Sequence, residues 1–401
     1  MHILEQYALN CGLKIGKPFI HEKYFPLPLE KYITFNPFGK FNSRKYSYWQ
    51  DVIDLLSPIL SKENIGIVQI GGKDEIAYNN CLPLMGQTNF NQTAYIINNS
   101  LLHFGVDSFP IHMASYFDKK IVALYCNMYA QQSKPYWSSP QNIKLIQANL
   151  NGKKPSYAAE ENPKTINNIK PEEIVYSILE LLNIKNNISQ ETIFIGDKYG
   201  SLLLESIPSV ILPPNLFPNV VLNIRYDYIN EIKEDDYICT LNNLNIRNCC
   251  IITDKPIDIN RFAQIKDKIS NIFYDISSNK IDVNFINSVK FLGIKIDFIF
   301  KKSNESNDID LNNKKLELIE YPEQINIIEN SNNIEMIKDS TFYKSKKLLF
   351  ASNNVYLSKA AYIENKPVQL TGDINVYQKL SEINNLELLI ENDSEYCLFF
   401  K

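Results

Sequence analysis

The stretch LLHFGVDSFPIHMASYFDKKIVALY, from Leu101 to Tyr125, decides how this chain folds. It opens with an apolar run through Val106, breaks at Asp107-Ser108, continues with helical spacing and ends in a second apolar run, Ile121–Tyr125. Two apolar strands without alternation, joined by a helix, predict a parallel pair buried on both faces. Pro110 suits the first turn of that helix, which puts Asp107 or Ser108 near its N-cap. His112, one of four histidines in the chain, follows within the helix.

The same alternation extends outward. Before it come a helix over residues 1–20 ending near Gly12, the strand YITFNPFG, the helix YSYWQDVIDLLSPIL, the strand IGIVQIGGKDE and the helix TAYIINNS. After it, KPEEIVYSILELLNI closes the first half, with Glu172 and Glu173 in its first turn. KNNISQ marks a boundary between domains at 1–186 and 190–401. Strands are expected beyond it at 192–196, 220–226, 249–254, 271–275, 294–300, 315–321, 347–353 and 397–400, with helices in INRFAQIKDKIS and DVNFINSVKFLG and a surface loop at 301–313. The expected fold class is α/β, two Rossmann-like doubly wound domains. Aligning 102–125 with 348–371 without gaps gives identities at Leu102/Leu348, Phe104/Phe350, Ala114/Ala360, Tyr116/Tyr362, Lys120/Lys366, Val122/Val368 and Leu124/Leu370. That predicts one related strand–helix–strand unit in each domain. Asp107, Ser108 and His112 become Asn353, Asn354 and Ser358, so the scaffold recurs without its polar triplet.

At 401 residues the chain suits two cores. A 45% apolar and 21% charged composition is that of a soluble globular protein, and a net charge of −4 gives no overall attraction to nucleic acid or anionic membrane. The seven cysteines form no CxxC pair, which predicts reduced thiols, a cytoplasmic setting and no zinc site. No apolar run reaches the ~18 residues of a membrane span. The start, MHILEQYALNCG, lacks a signal-peptide pattern. Oligomeric state is not legible.

In a doubly wound sheet, ligands sit beyond the carboxyl ends of the strands, at helix N-termini. Four segments end there. FNPFGKFNSRK offers Asn36, Gly39, Lys40, Ser43, Arg44 and Lys45, and QIGGKDE offers Gly71, Gly72 and Glu75. MGQTN brings Thr88, and the fourth segment is Asp107-Ser108-Phe109-Pro110 with His112. Each also has a purely structural explanation: a helix cap, a packed histidine, a glycine turn, a solvated basic loop.

Taken in order, NCGLKI, ITFNPFGK, RKYSYW, VQIGGKDE, MGQT, VDSFPIHMAS and DKKIVALY resemble the nucleotide-sugar-binding domain of glycosyltransferase family 9, the heptosyltransferases of lipopolysaccharide synthesis. The likeness covers about residues 1–185. It implies a GT-B fold, a nucleotide-diphosphate sugar as co-substrate with no further cofactor, and a glycan or other hydroxyl acceptor. It further implies that Asp107, Ser108 and His112 hold the donor's phosphate and sugar, that Lys45 neutralises diphosphate, and that Thr88 and Glu75 line the nucleotide pocket. Two departures stand out. Phe109 replaces the family's glycine after Asp-Ser, and the donor-binding domain comes first, so either the domain order looks swapped or the second domain is a separate acquisition. The family's catalytic acid lies in its N-terminal part and has no counterpart here. An inverting transfer needs a base for the acceptor hydroxyl. The second domain offers Asp197, Asp227 and Asp254 at strand ends, with Asp197 first because a glycine-rich turn holds it. No Asp-x-Asp pair or His/Cys cluster calls for a metal, since Asp235-Asp236 and Asp308–Asp310 are expected in polar loops. A nucleotide-sugar epimerase or hydrolase, or a non-catalytic protein on the same scaffold, fits the same residues.

Overall fold

The computed structural model describes residues 1–150, 152–185, 188–195, 202–277, 280–302, 308–321, 324–329, 341–370, 376–393 and 397–400. The chain divides into two units, Met1–Thr192 and Ile193–Lys401.

Unit 1 begins with α1 (Ile3–Cys11), which stops at Gly12 in the left-handed region and buries none of its own residues. Then come β1 (Tyr32–Asn36), α2 (Trp49–Lys62), β2 (Gly66–Gln69), the short β3 (Leu82–Pro83), α3 (Phe90–Asn99) and β4 (Leu102–Val106). The unit closes with α4 (Phe109–Tyr116), β5 (Lys120–Tyr125), α5 (Ala130–Ser133), β6 (Ile143–Gln147) and α6 (Pro171–Leu182). The sheet order is β3-β2-β1-β4-β5-β6, all parallel. Chain order reverses between β1 and β4, which is the topological switch point of a doubly wound sheet. Both faces are covered. Trp49 of α2 packs edge-on against Phe35 and Phe104, centroids 4.9 and 6.0 Å away. On the other face Ile96, Ile97, Ile111, Met113 and Ala114 share a core with Val68, Ile121 and Ala123. The short β3 and α5 and the half-covered β6, which carries Lys144 and Gln147, were not legible in the sequence.

Unit 2 contains β7 (Thr192–Phe194, whose first residue closes unit 1), β8 (Leu203–Ser206), β9 (Leu222–Arg225), α7 (Glu234–Ile246), β10 (Cys249–Thr253), a 3-10 segment (Ile259–Lys268) and β11 (Ile269–Asp275). It continues with α8 (Val283–Phe291), β12 (Ile296–Lys302), α9 (Asp308–Glu317), β13 (Ile325–Glu329), β14 (Phe342–Ser345), β15 (Lys347–Ala351) and β16 (Asn354–Tyr356). The last elements are α10 (Lys359–Ile363), β17 (Tyr377–Lys379), α11 (Leu386–Asp393) and β18 (Cys397–Phe400). The large sheet runs β13-β12-β11-β10-β9-β8-β15-β16, and a smaller one runs β17-β14-β18-β7. Strands β8 to β13 follow chain order and pair in parallel. Reversal comes only where β15 pairs with β8.

Three expectations are corrected. Residues 315–321 are not a strand, and 308–313 are not a loop. Helix α9 spans Asp308–Glu317 because Leu311 and Leu318, seven residues apart, bury one side of it. Asp235 and Asp236 lie in the first turn of α7, where Asp236 Oδ2 accepts from Lys233 N at 2.8 Å. The repeat holds for the first strand and the second half of the helix, but the residues aligned with the start of α4 form β16, and the last strand is not repeated. β15 folds back onto β16 as a hairpin, and Val368 makes only an antiparallel bridge to Val355.

His103 sits fully buried in β4, its Nδ1 3.0 Å from Thr34 Oγ1. Burial lowers its pKa to about 3. An unfolded histidine takes up a proton below about pH 6.5, whereas the folded one does so only near 3. Its contribution is therefore complete above pH 6.5 and is lost as pH falls toward 3, at up to ~1.4 kcal/mol per pH unit. His103→Asn keeps an acceptor for Thr34 without titrating. Denaturant melts between pH 7.5 and 5 should show a shallower loss of stability in that variant than in wild type.

Candidate functional site

The carboxyl ends of β3, β2, β1 and β4 carry the four expected segments side by side. Gly105 pairs with Asn36 across the switch point. Asn36, at the end of β1, donates through Nδ2 to Ile70 O at 3.0 Å, and its Oδ1 accepts from Ser108 Oγ at 2.8 Å. Gly71, next after Ile70, accepts from Gly86 N at 3.0 Å, which brings the Thr88 segment alongside.

Ser108 is the N-cap residue of α4, yet its hydroxyl makes no capping bond because it is committed to Asn36. The first turn of α4 thus keeps its partial positive charge without a side-chain cap; Pro110 has no N–H and Ile111 N donates to Ser108 O at 3.2 Å, which leaves the Phe109 N–H facing out. Asp107, 6% exposed in its side chain, lies beside that end. Arg44 Nη1 stands 3.1 Å from Asp107 Oδ2 and donates to the Asp107 carbonyl at 2.9 Å. Ser133 Oγ also donates to Oδ2, at 3.2 Å. The other oxygen, Oδ1, is 3.6 Å from Nε2 of His112, whose side chain is 43% exposed. The result is an imidazole open to solvent beside a buried carboxylate that is paired with Arg44. Such a pair can donate a hydrogen bond to a phosphate or sugar oxygen, and it can accept a proton. Gly39 makes room for Arg44, since a Cβ there would stand 3.1 Å from Arg44 Cβ.

Glu75 folds back over the glycine pair. A Cβ on Gly71 would lie 1.8 Å from Glu75 Oε2, so that glycine is the seat of the carboxylate. Oε2 is buried without a hydrogen-bond partner, and burial raises the Glu75 pKa. Thr88 Oγ1 is 2.9 Å from Thr93 Oγ1. Lys45 is exposed, one residue past the short 3-10 turn 42–44. Phe109 is half exposed, its ring 5.1 Å from that of Phe90, so two aromatic rings bridge the N-termini of α4 and α3.

Sequence reasoning offered Arg44 only as part of a basic loop and missed Phe90, Asn127 and Ser133. Their roles follow from the bond to Asp107, the ring contact and the anchoring of Arg44 Nε by Asn127 Oδ1 at 3.2 Å. None of these has a signal in spacing.

In unit 2, Asp197 lies outside the described residues. Asp227 is 4% exposed and commits both oxygens to Arg225, at 2.8 and 2.6 Å. Arg225 Nη1 also donates to the buried Glu205 at 2.6 Å, so Asp227 is one counter-ion of a buried guanidinium. Asp254, at the end of β10, is 28% exposed and 3.1 Å from Lys255 Nζ. Among the described residues no group of three His, Cys, Asp or Glu side chains is arranged to hold a metal ion. None of their helices is long and apolar enough to cross a membrane.

The segments just described coincide with a match to the model of Glycosyltransferase family 9 (heptosyltransferase), over residues 14–162. No curated protein matches the chain. Among solved structures, ADP-heptose lipopolysaccharide heptosyltransferase II of E. coli is 16% identical over 45% of this chain and 50% of its own, with TM-score 0.32. A glycosyl transferase family 9 protein of Veillonella parvula gives the same four values. E. coli heptosyltransferase WaaC with ADP is 14% identical over 44% and 54%, with TM-score 0.30. The chain spans about half the length of these structures.

The two glycines make opposite predictions. A Cβ on Gly105 would meet the backbone oxygen of Asn36 at 2.2 Å, so Gly105→Ala should cost at least ~2 kcal/mol in a denaturant titration. Gly71→Ala meets only the movable end of Glu75, so it should displace that carboxylate while stability stays within about 1 kcal/mol of wild type. Asp227→Ala leaves Arg225 with half its counter-charge and should cost ~3 kcal/mol, whatever its effect on activity.

Proposed function

We propose that the chain is a glycosyltransferase whose family 9 domain takes a nucleotide-diphosphate sugar and passes the sugar to a hydroxyl acceptor, a glycan or lipopolysaccharide-like molecule, in the cytoplasm. The observation that carries this reading is the uncapped N-terminus of α4, flanked by the Arg44-anchored Asp107 and the exposed His112. That end and the Lys45 ammonium are suited to a diphosphate and stabilise it as a leaving group without a metal ion. Asp107 and His112 face the sugar side. The unpartnered Glu75 Oε2 is a pure acceptor, which a ribose hydroxyl satisfies, and Thr88 closes the nucleotide side. With Asp227 locked to Arg225, Asp254 is the better candidate among the described carboxylates for the base that deprotonates the acceptor. A non-catalytic role is the second reading, favoured by Phe109 where close approach to a diphosphate favours glycine.

A thermal-shift panel of ADP, UDP, GDP, CDP and their sugars separates these readings. Ligand at a hundred times its dissociation constant stabilises the native state by about 2.7 kcal/mol. One nucleotide should shift wild type and fail to shift Asp107→Ala and His112→Ala, while Phe109→Gly should bind it more tightly. Release of nucleoside diphosphate without any acceptor would point instead to a hydrolase. No shift with any nucleotide would leave the non-catalytic reading.

A further inference from the structure

Lys45 and Lys164 are far apart in sequence, yet the fold brings them together. The segment 157–164 is strapped over the turn that carries Lys45. Ser43 N and Oγ donate to Ala159 O and Ala158 O at 3.0 and 2.9 Å. Asn127 Nδ2 donates to Ala158 O at 2.8 Å, and Tyr157 N donates to Asn127 O at 2.8 Å. Lys164 then turns its Nζ onto the carbonyl of Lys45 itself, at 3.3 Å.

The Lys164 ammonium is thereby held on the backbone of Lys45, and among the described residues no carboxylate stands within ion-pair distance of either lysine. Burial and the nearness of Lys45 lower the Lys164 pKa, and Glu160 opposes them more weakly. A fold that desolvates one cation beside another stores repulsion that a bound anion would relieve. The next residue in the turn, Arg44, is anchored to Asp107, so the pair adjoins the α4 N-terminus.

We propose that Lys164 is a second cationic group of this site, acting with Lys45 to hold a diphosphate from the strap side. The identity of the anion as a donor diphosphate rests on the function proposed above; the anion site itself does not. Phe109 gives the arrangement its purpose: with a bulky residue at the start of α4, charge from the strap compensates for a less intimate backbone approach.

Isothermal titration with inorganic pyrophosphate and with ADP, UDP, GDP and CDP tests this on the full chain. Lys164→Gln keeps an N–H donor for the Lys45 carbonyl and removes the charge, whereas Lys164→Arg keeps the charge. We expect the Gln variant to melt as wild type does and to bind pyrophosphate and the preferred nucleoside diphosphate about tenfold more weakly. The Arg variant should retain most of the affinity, and added salt should weaken wild type more steeply than the Gln variant. Pyrophosphate binding that is equal in wild type and Lys164→Gln, or absent in wild type, overturns the proposal. Lys164-dependent binding of pyrophosphate with no nucleotide binding would uphold the anion site and overturn the nucleotide reading instead.

Discussion

The close approach of β1 and β4 at the switch point governs the rest of unit 1. Gly105 faces Asn36 across the ladder with no room for a side chain, the carbonyl oxygen lying 2.2 Å from where a Cβ would be. Because the strands come so near, Ser108 just beyond β4 reaches the side chain of Asn36 at the end of β1. That bond removes the natural cap from α4. What would otherwise be a satisfied helix end becomes an open one, and the buried Asp107 beside it is stabilised by Arg44 from the β1 loop. The polar site therefore follows from a backbone constraint, because the same register that closes the sheet leaves the helix end unsatisfied.

Unit 2 treats its buried charges differently. Between β8 and β9 the sheet buries a guanidinium against two carboxylates, Glu205 and Asp227, with the Tyr228 ring 3.9 Å from the Arg225 guanidinium carbon. Lys347 of β15 lies 3.9 Å from the second oxygen of Glu205. Arg225 is thus paired with a carboxylate on each side, which is the condition for burying it at all. In unit 1, Glu75 Oε2 is buried without a hydrogen-bond partner and the first turn of α4 has no side-chain cap.

Unit 1 was legible because its strands are apolar without interruption and its turns carry glycine, so period and punctuation agree. The order of the four loop segments was legible for the same reason. What the sequence could not show was pairing. Nothing in its spacing says that Ser108 leaves its helix for Asn36, or that Lys164 reaches the carbonyl of Lys45. In unit 2 the reading failed where charge alternates with apolar residues. KLELIEY has strand alternation, but Leu311 and Leu318 give it a helical face once the preceding polar residues are included. Helix α7 was missed because its sequence, EDDYICTLNNLNI, is polar and asparagine-rich, and its burial comes from Thr240, Asn243 and Leu244 rather than from an apolar stripe.

Phe109 is the residue on which the electrostatic reading turns. At the first position of a helix, a glycine lets a phosphate lie against free N–H groups, and a phenylalanine does not remove those groups but sets what may approach them. Here its ring leans on Phe90 and leaves half of itself in solvent, a poor place for an apolar surface unless something flat covers it. A nucleotide supplies both a flat ring and an anion. The aromatic pair lies toward the Thr88 and Glu75 side, and the cations Arg44, Lys45 and Lys164 lie toward the β1 loop. That separation of apolar from charged surface matches the separation of base from diphosphate within one ligand. On the function proposed above, one nucleotide would cover the half-exposed rings with its base and meet the cations with its diphosphate.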